Sequence, residues 1–185
     1  ETLELAGDKS FNLIFTINST RDNLSPVIDL DRKSVVAVAN RMDNIDDSSD
    51  VYPTSDYVQP TEPDGDNNEA IYITKKVQLQ TPATAIRCYL DAVKFDSAEI
   101  EVLYKILRSD DASDFDEIGW EYFNTTGIPD TTVNASVNNE DFIERQYTVE
   151  GLPEFIAFAI KIRMQGTNTC EVPRIKDLRA IALAT

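Results

Sequence analysis

Apolar and polar residues alternate with a period of two along much of the chain, the spacing that sends successive side chains to opposite faces of a β-strand. Phe11, Leu13, Phe15 and Ile17 fall on one face, with Asn12, Thr16 and Asn18 largely on the other. Ile71, Ile73, Val77 and Leu79 alternate with Tyr72, Thr74, Lys76 and Gln78, and Lys75 breaks the pattern as an edge or bulge position does. Ile86, Cys88, Leu90 and Ala92 alternate with Arg87, Tyr89 and Asp91. Ile156, Phe158, Ile160, Ile162 and Met164 alternate with Ala157, Ala159, Lys161 and Arg163. Residues 35–39 form a short continuous apolar run, the pattern of a strand covered on both faces.

Two segments also fit a helix. Ile100, Leu103, Tyr104 and Leu107 have helical spacing, and Asp96 with Glu99 is placed as a capping box. Yet Ile100, Val102, Tyr104 and Ile106 alternate cleanly after a short turn at 95–97, and a strand is expected. Residues 174–184, entered through Pro173, are compatible with either state, and the all-β surroundings favour a closing strand. Polar connections separate these segments. The longest, 43–69, holds Pro53, Pro60, Pro63 and Gly65 among Asp, Ser, Thr and Asn; 109–117 and 125–141 follow. About eight short strands with variable loops predict an all-β fold, a single β-sandwich of jelly-roll type with long acidic loops. One domain is expected over residues 1–185, with an N-terminal arm over 1–30 and a long loop over 43–69.

Composition narrows the function. Apolar residues make up 42% of the chain, enough for a real core, and no apolar run approaches a membrane span. With 33 acidic against 17 basic residues and a net charge of -16, the surface repels nucleic acid and anionic lipid. The chain opens at Glu1 without methionine or a signal-peptide pattern, and reads as a piece of a longer protein. The absence of histidine removes Ser-His-Asp and Cys-His catalysis and imidazole metal sites, and six glycines form no phosphate-binding motif. Cys88 and Cys170 provide neither a disulfide scaffold nor zinc spacing, and buried thiols are expected. Asp110, Asp111, Asp114, Asp116 and Glu117 cluster in a segment with few apolar neighbours, so a solvated loop is expected rather than a hydrolytic acid pair.

Asp64, Asp66 and Asn68 place oxygen ligands at alternate positions, as at the start of a calcium loop. Glu69 stands where that loop needs glycine and Lys75 where it needs glutamate, which makes calcium a weak candidate and no cofactor the main expectation. Asp43, Asp46, Asp47 and Asp50 form a second oxygen-rich cluster without recognisable spacing. Tyr52 and Tyr57, in the proline-containing loop, are candidates for contact with a partner. Trp120 is a partner or sugar-stacking candidate, with a core or loop anchor as the plainer expectation. Sequons at Asn18, Asn124 and Asn134 are too near chance to predict glycosylation.

Several longer stretches carry a resemblance. They are Gly7-Asp-Lys-Ser10 with the strand after it, Asn23-Leu-Ser-Pro-Val-Ile-Asp-Leu-Asp-Arg32, Ala70-Ile-Tyr-Ile-Thr-Lys-Lys-Val-Gln-Leu79, Ala85-Ile-Arg-Cys-Tyr-Leu-Asp-Ala92, and Val172-Pro-Arg-Ile-Lys-Asp-Leu-Arg-Ala-Ile-Ala-Leu183. Together they resemble virion structural proteins of contractile-tailed phages, especially those infecting marine cyanobacteria, in a module similar to the C-terminal part of a larger virion protein. The resemblance spans nearly the whole chain and thins between residues 110 and 139. It implies a non-catalytic role in tail or baseplate assembly, oligomerisation with other virion proteins, and a location in the virion after assembly in the host cytoplasm. It implies no catalytic or cofactor residue. The final segment, with Arg174, Leu178 and Leu183, also resembles the last strand of discoidin-like sugar-binding jelly rolls. The alternative expectation is therefore a carbohydrate- or receptor-binding module of a tail fibre. An acid-pair hydrolase stands a distant third.

Overall fold

A computed structural model of the chain describes residues 58–66, 68, 70–168 and 171–184, together with the exposed Thr16, Asn18 and Thr20. The strands expected at 11–17 and 35–39, the arm over 1–30, Tyr52, Tyr57, Cys170 and the acidic cluster at 43–50 lie outside these residues. The chain divides into two units, residues 1–39 and 40–185, and every strand described belongs to the second.

The elements are β1 (Ile71–Ile73), β2 (Val77–Ala83), β3 (Ala85–Val93), β4 (Ala98–Arg108), a 3₁₀ turn (Phe115–Glu117), β5 (Glu121–Tyr122), β6 (Ile143–Val149), β7 (Phe155–Gly166) and β8 (Arg174–Leu183). The fold is all-β, with two antiparallel sheets. In one, β7 lies between β4 and an edge made of β1 and β2, and β5 pairs with the far side of β4. In the other, β3 lies between β6 and β8. Both segments with helical spacing are strands, β4 and β8. On β4 the reason is packing: Ile100, Val102, Tyr104 and Ile106 join the main core, while Leu103 and Leu107 join a separate cluster. A helix would have brought Ile100, Leu103 and Leu107 to one face; the strand sends them to two.

The main core lies between the sheets. Ile86, Cys88, Leu90 and Ala92 of β3 and Tyr147 of β6 meet Ile100, Val102 and Tyr104 of β4 and Phe158, Ile160 and Ile162 of β7. Phe123 stands between Tyr104 and Tyr147 in edge-to-face contacts of 4.9 and 6.1 Å between ring centres. Each large buried side chain here contributes about 1.5–3 kcal/mol through removal of apolar surface from water. Cys88 is a buried free thiol, which agrees with its alternation. The turn after β5 needs Gly127: its φ is 71°, and a Cβ there would lie 2.9 Å from the Val102 amide nitrogen.

The expected face of Ile71, Ile73, Val77 and Leu79 is corrected by register. Ile71 and Ile73 stand opposite Arg163 and Lys161, whereas Val77 stands opposite Phe158. The residue numbers of opposed pairs thus slip by one between β1 and β2. Such a slip exchanges the faces. Ile71 and Ile73 consequently share the outer face with Lys161, while Val77 and Leu79 lie on the core side, where Leu79 packs on the core and Val77 remains exposed at the edge. The irregularity at Thr74–Lys76, with Lys75 at its centre, is the bulge that accommodates the extra residue. Thr74 holds it to β7 twice: its amide donates to the Ile160 carbonyl (2.9 Å), and its hydroxyl accepts from the Ile160 amide (3.0 Å).

Candidate functional site

The outer face of the first sheet departs most from ordinary strand chemistry. Alternation along β7 places Ala157, Ala159, Lys161, Arg163 and Gln165 there, as the sequence pattern indicates, but all five are buried. Two connections cover them. The small side chains of Ala157 and Ala159 leave room for Phe115 and Trp120, which pack on Leu103 of β4 with Leu107, Ile118 and Tyr122 around them. Residues 58–66 lie beside Trp120. The Trp120 amide donates to the Thr61 carbonyl (2.7 Å), and the indole Nε1 donates to the Pro63 carbonyl (3.3 Å). Gly119 permits this approach, because a Cβ there would lie 3.0 Å from the Thr61 carbonyl oxygen.

Two buried cations, Lys161 and Lys105, hold the two connections down, and a third, Arg163, ties β7 to β4. Lys161, only 1% exposed, donates to the Pro60 carbonyl (2.9 Å) and pairs with the Asp66 carboxylate at 2.5 Å. Lys105 donates to the Phe115 carbonyl (2.9 Å) and lies 4.6 and 4.8 Å from the ring centres of Phe115 and Trp120. Burial holds the Lys105 ammonium below its ordinary value, with Asp116 and Asp114 opposing that shift. Arg163 pairs with Glu101 of β4 at 2.9 Å. Burial pushes the Glu101 carboxyl up from its ordinary value, Arg163 opposes this, and the nearby charges of Glu99 and Asp66 add to it. Lys76, on the β1–β2 edge, approaches the Phe115 ring from another side at 4.8 Å. Carbonyls, aromatic faces and carboxylates thus solvate these cations in place of water, and the cluster clamps polar loops onto a sheet.

This arrangement revises the sequence-derived candidates. Trp120, offered above as a partner or sugar contact, is 4% exposed and is the anchor of the two connections. Of the calcium candidates Asp64, Asp66 and Asn68, the last two are engaged by groups of the chain itself. Asp64 is exposed, and the Asp66 carboxylate faces Lys161 while its other oxygen accepts from the Asn68 amide at 3.1 Å. The Asn68 side-chain oxygen accepts from the Ala70 amide at 3.0 Å. Among the described residues, no group of three or more His, Cys, Asp or Glu is placed to hold a metal ion. The five acids between 110 and 117 are exposed, as a solvated loop requires, and Asp114 caps the 3₁₀ turn. Ser113 hydrogen bonds hold the Asp111 carboxyl below its ordinary value. The clamp itself was missed from the sequence. Its signal was there in Lys161 and Arg163 following two alanines on one face of the most apolar strand.

A second feature lies between the two sheets, beside β1. A groove of about 280 Å³ opens between Tyr72 of β1, Ile162 and Met164 of β7, and Pro173, Ile175 and Leu178 at β8. Its walls are largely apolar, and Tyr72 is 53% exposed. A third is a cost within the core. Arg145 of β6 is 3% exposed, and its Nε and one terminal nitrogen have no hydrogen-bond partner among the described residues. Comparison of the chain with protein-family models, with curated proteins and with solved structures returns no match.

Proposed function

We propose that the chain is a non-catalytic structural module of a contractile-tailed phage virion, contributing to tail or baseplate assembly through a rigid β-sandwich and contact loops. The observation that carries this reading is the clamp. The final part of the 43–69 loop is fixed to the central strand of the first sheet by Lys161, through Pro60 and Asp66, and by Trp120, through Thr61 and Pro63. The described end of the loop is thus held against the sheet, and Tyr52 and Tyr57, outside the described residues, are the contact residues proposed for a neighbour. The exposed acids at 110–117 beside the clamp suit a surface that must remain soluble before assembly. The sequence resemblance supplies the class of neighbour, other virion proteins, and the oligomeric setting.

The finer fold reading is a jelly roll. A jelly roll is an antiparallel ribbon of eight strands wound on itself, in which the second strand pairs with the seventh, the third with the sixth and the fourth with the fifth. The pairs β2 with β7, β3 with β6 and β4 with β5 fit that scheme. Its outermost pair, a further strand beside β8, is not found among the described residues. Glycan binding through Trp120 finds no support, because the indole is enclosed by its own chain.

The test replaces residues 44–57 with a short Gly-Ser linker and leaves 58–69 intact, so that Lys161 keeps its partners. The variant should unfold cooperatively with the wild-type midpoint but fail to enter particles when co-expressed with the other virion proteins. Incorporation at the wild-type level would remove the loop from the mechanism. A wild-type chain that neither oligomerises nor enters particles would remove the assembly reading altogether.

A further inference from the structure

The three-stranded sheet ends differently at its two edges. The outer side of β6 is met by the 125–141 connection: the Asp130 amide donates to the Gln146 carbonyl (2.8 Å), and the Asp130 carboxylate accepts from the Thr148 amide (3.2 Å). At the opposite edge, β8 pairs with β3 alone among the described residues. The groove of about 280 Å³ runs beside that edge, with β8 on one side and Tyr72, Ile162 and Met164 of the other sheet across from it. A bulge shapes the β8 wall. Asp177 has a φ of 52°, and the register against β3 shifts between Tyr89 and Asp91. Ile175 and Leu178, three residues apart, therefore both pack toward the core and line the groove.

Charge sets this side of the molecule apart. On a chain with 33 acidic and 17 basic residues, Arg174, Lys176 and Arg179 are all exposed along β8. Arg179 is matched by Glu144 at 2.6 Å. Lys176 has Asp177 at 4.0 Å, and Arg174 reaches the Asn139 carbonyl at 3.5 Å. Lys75 and Lys76 are exposed farther along the β1–β2 edge, and Tyr72 is half exposed at the groove. An apolar slot beside a strand edge suits an extended peptide: backbone bonds to the edge supply affinity, and alternate side chains entering the slot supply specificity.

We propose that β8 and this groove bind an extended segment of a neighbouring protein as an added strand, apolar at every second position and acidic between. Its apolar side chains lie between Tyr72, Met164 and Leu178, and its acidic ones on the outer face beside Arg174 and Lys176. Charges on an edge strand ordinarily prevent pairing. Here they are mostly of one sign, so they oppose another basic edge, β8 of a second copy included, and select an acidic one. Salt at physiological strength screens the chain's distant acids beyond about 8 Å and leaves the rim charges in contact. The inference does not depend on the virion reading, because it rests on the groove and not on the 43–69 loop.

Titration of the full chain with short capped peptides, read by amide chemical shifts, tests it. A peptide alternating valine with glutamate should shift β8, Tyr72 and Met164. The same peptide with lysine for glutamate should bind about tenfold more weakly. Arg174→Glu combined with Lys176→Glu, both at exposed positions, should reverse that preference without moving the unfolding midpoint. Tyr72→Ser should weaken the glutamate peptide, again with the midpoint unchanged. No shift at millimolar glutamate peptide, equal binding of the two peptides by the wild type, or undiminished binding by Tyr72→Ser overturns the proposal. Amide exchange in the free chain identifies a different occupant. Pairing with β3 protects alternate β8 amides only. Protection of all of them overturns the proposal: if it grows with protein concentration, a second copy holds the edge, and if it does not, the chain's own residues do.

Discussion

Lys161 and Cys88 show how a single side chain changes character when the fold encloses it. Replacing Lys161 with methionine leaves the Asp66 carboxylate enclosed without its cation, at a cost of about 3–5 kcal/mol, the range for breaking a buried pair. Lys161→Met combined with Asp66→Leu should be more stable than Lys161→Met alone, because no charge is then stranded; urea unfolding of both variants checks the order. Cys88 responds to pH instead. Burial raises its thiol from an ordinary 9.0 to about 12, and burial also raises the phenols of Tyr104 and Tyr147. The folded state therefore holds these protons more tightly than the unfolded chain. Their contribution to stability is complete below pH 9 and is lost as pH climbs toward about 12. The urea midpoint should fall across that window, and Cys88→Ala should fall less steeply from its own neutral value. A midpoint independent of pH there would contradict the burial of these groups.

At the scale of elements, β7 and the edge strand beside it decide how the sheet is covered. The bulge at Thr74–Lys76 turns Ile71 and Ile73 to the clamp side and Val77 and Leu79 to the core side. Thr74 stabilises it by accepting the Ile160 amide with its side chain, in place of a ladder carbonyl. Thr74→Val keeps the shape but removes that acceptor, and should cost about 1–3 kcal/mol for a stranded amide. Amide exchange should accelerate at Ile160 more than in β3 or β6, and an unchanged rate there would argue against the bulge. The alternation had marked Lys75 as the break, yet it could not indicate that the register would slip by one residue.

For the whole molecule, the second unit consists of two sheets around one core, with a clamped outer face on the first sheet. The proposed assembly role belongs to this scale, because it requires the sheet and the connection at 58–66 to be positioned together.

The sequence by itself determined β1, β3, β7 and the start of β2, the turn at 95–97 and a break at Lys75, because period-two alternation and local turn chemistry are written in adjacent residues, whereas β5 and β6 were not read from it. For β4 and β8, which also fit a helix, it favoured strands from their all-β surroundings, and the structure has strands at both. Only the tertiary structure decided that the polar face of β7 is buried, that Trp120 is enclosed by its own chain, and that Asp66 pairs with Lys161. Those outcomes depend on contacts such as Lys161 to Pro60, which span 101 positions of the chain. Alternation says that a strand has two faces. What covers the second is settled by distant loops, and no local pattern records which loop arrives.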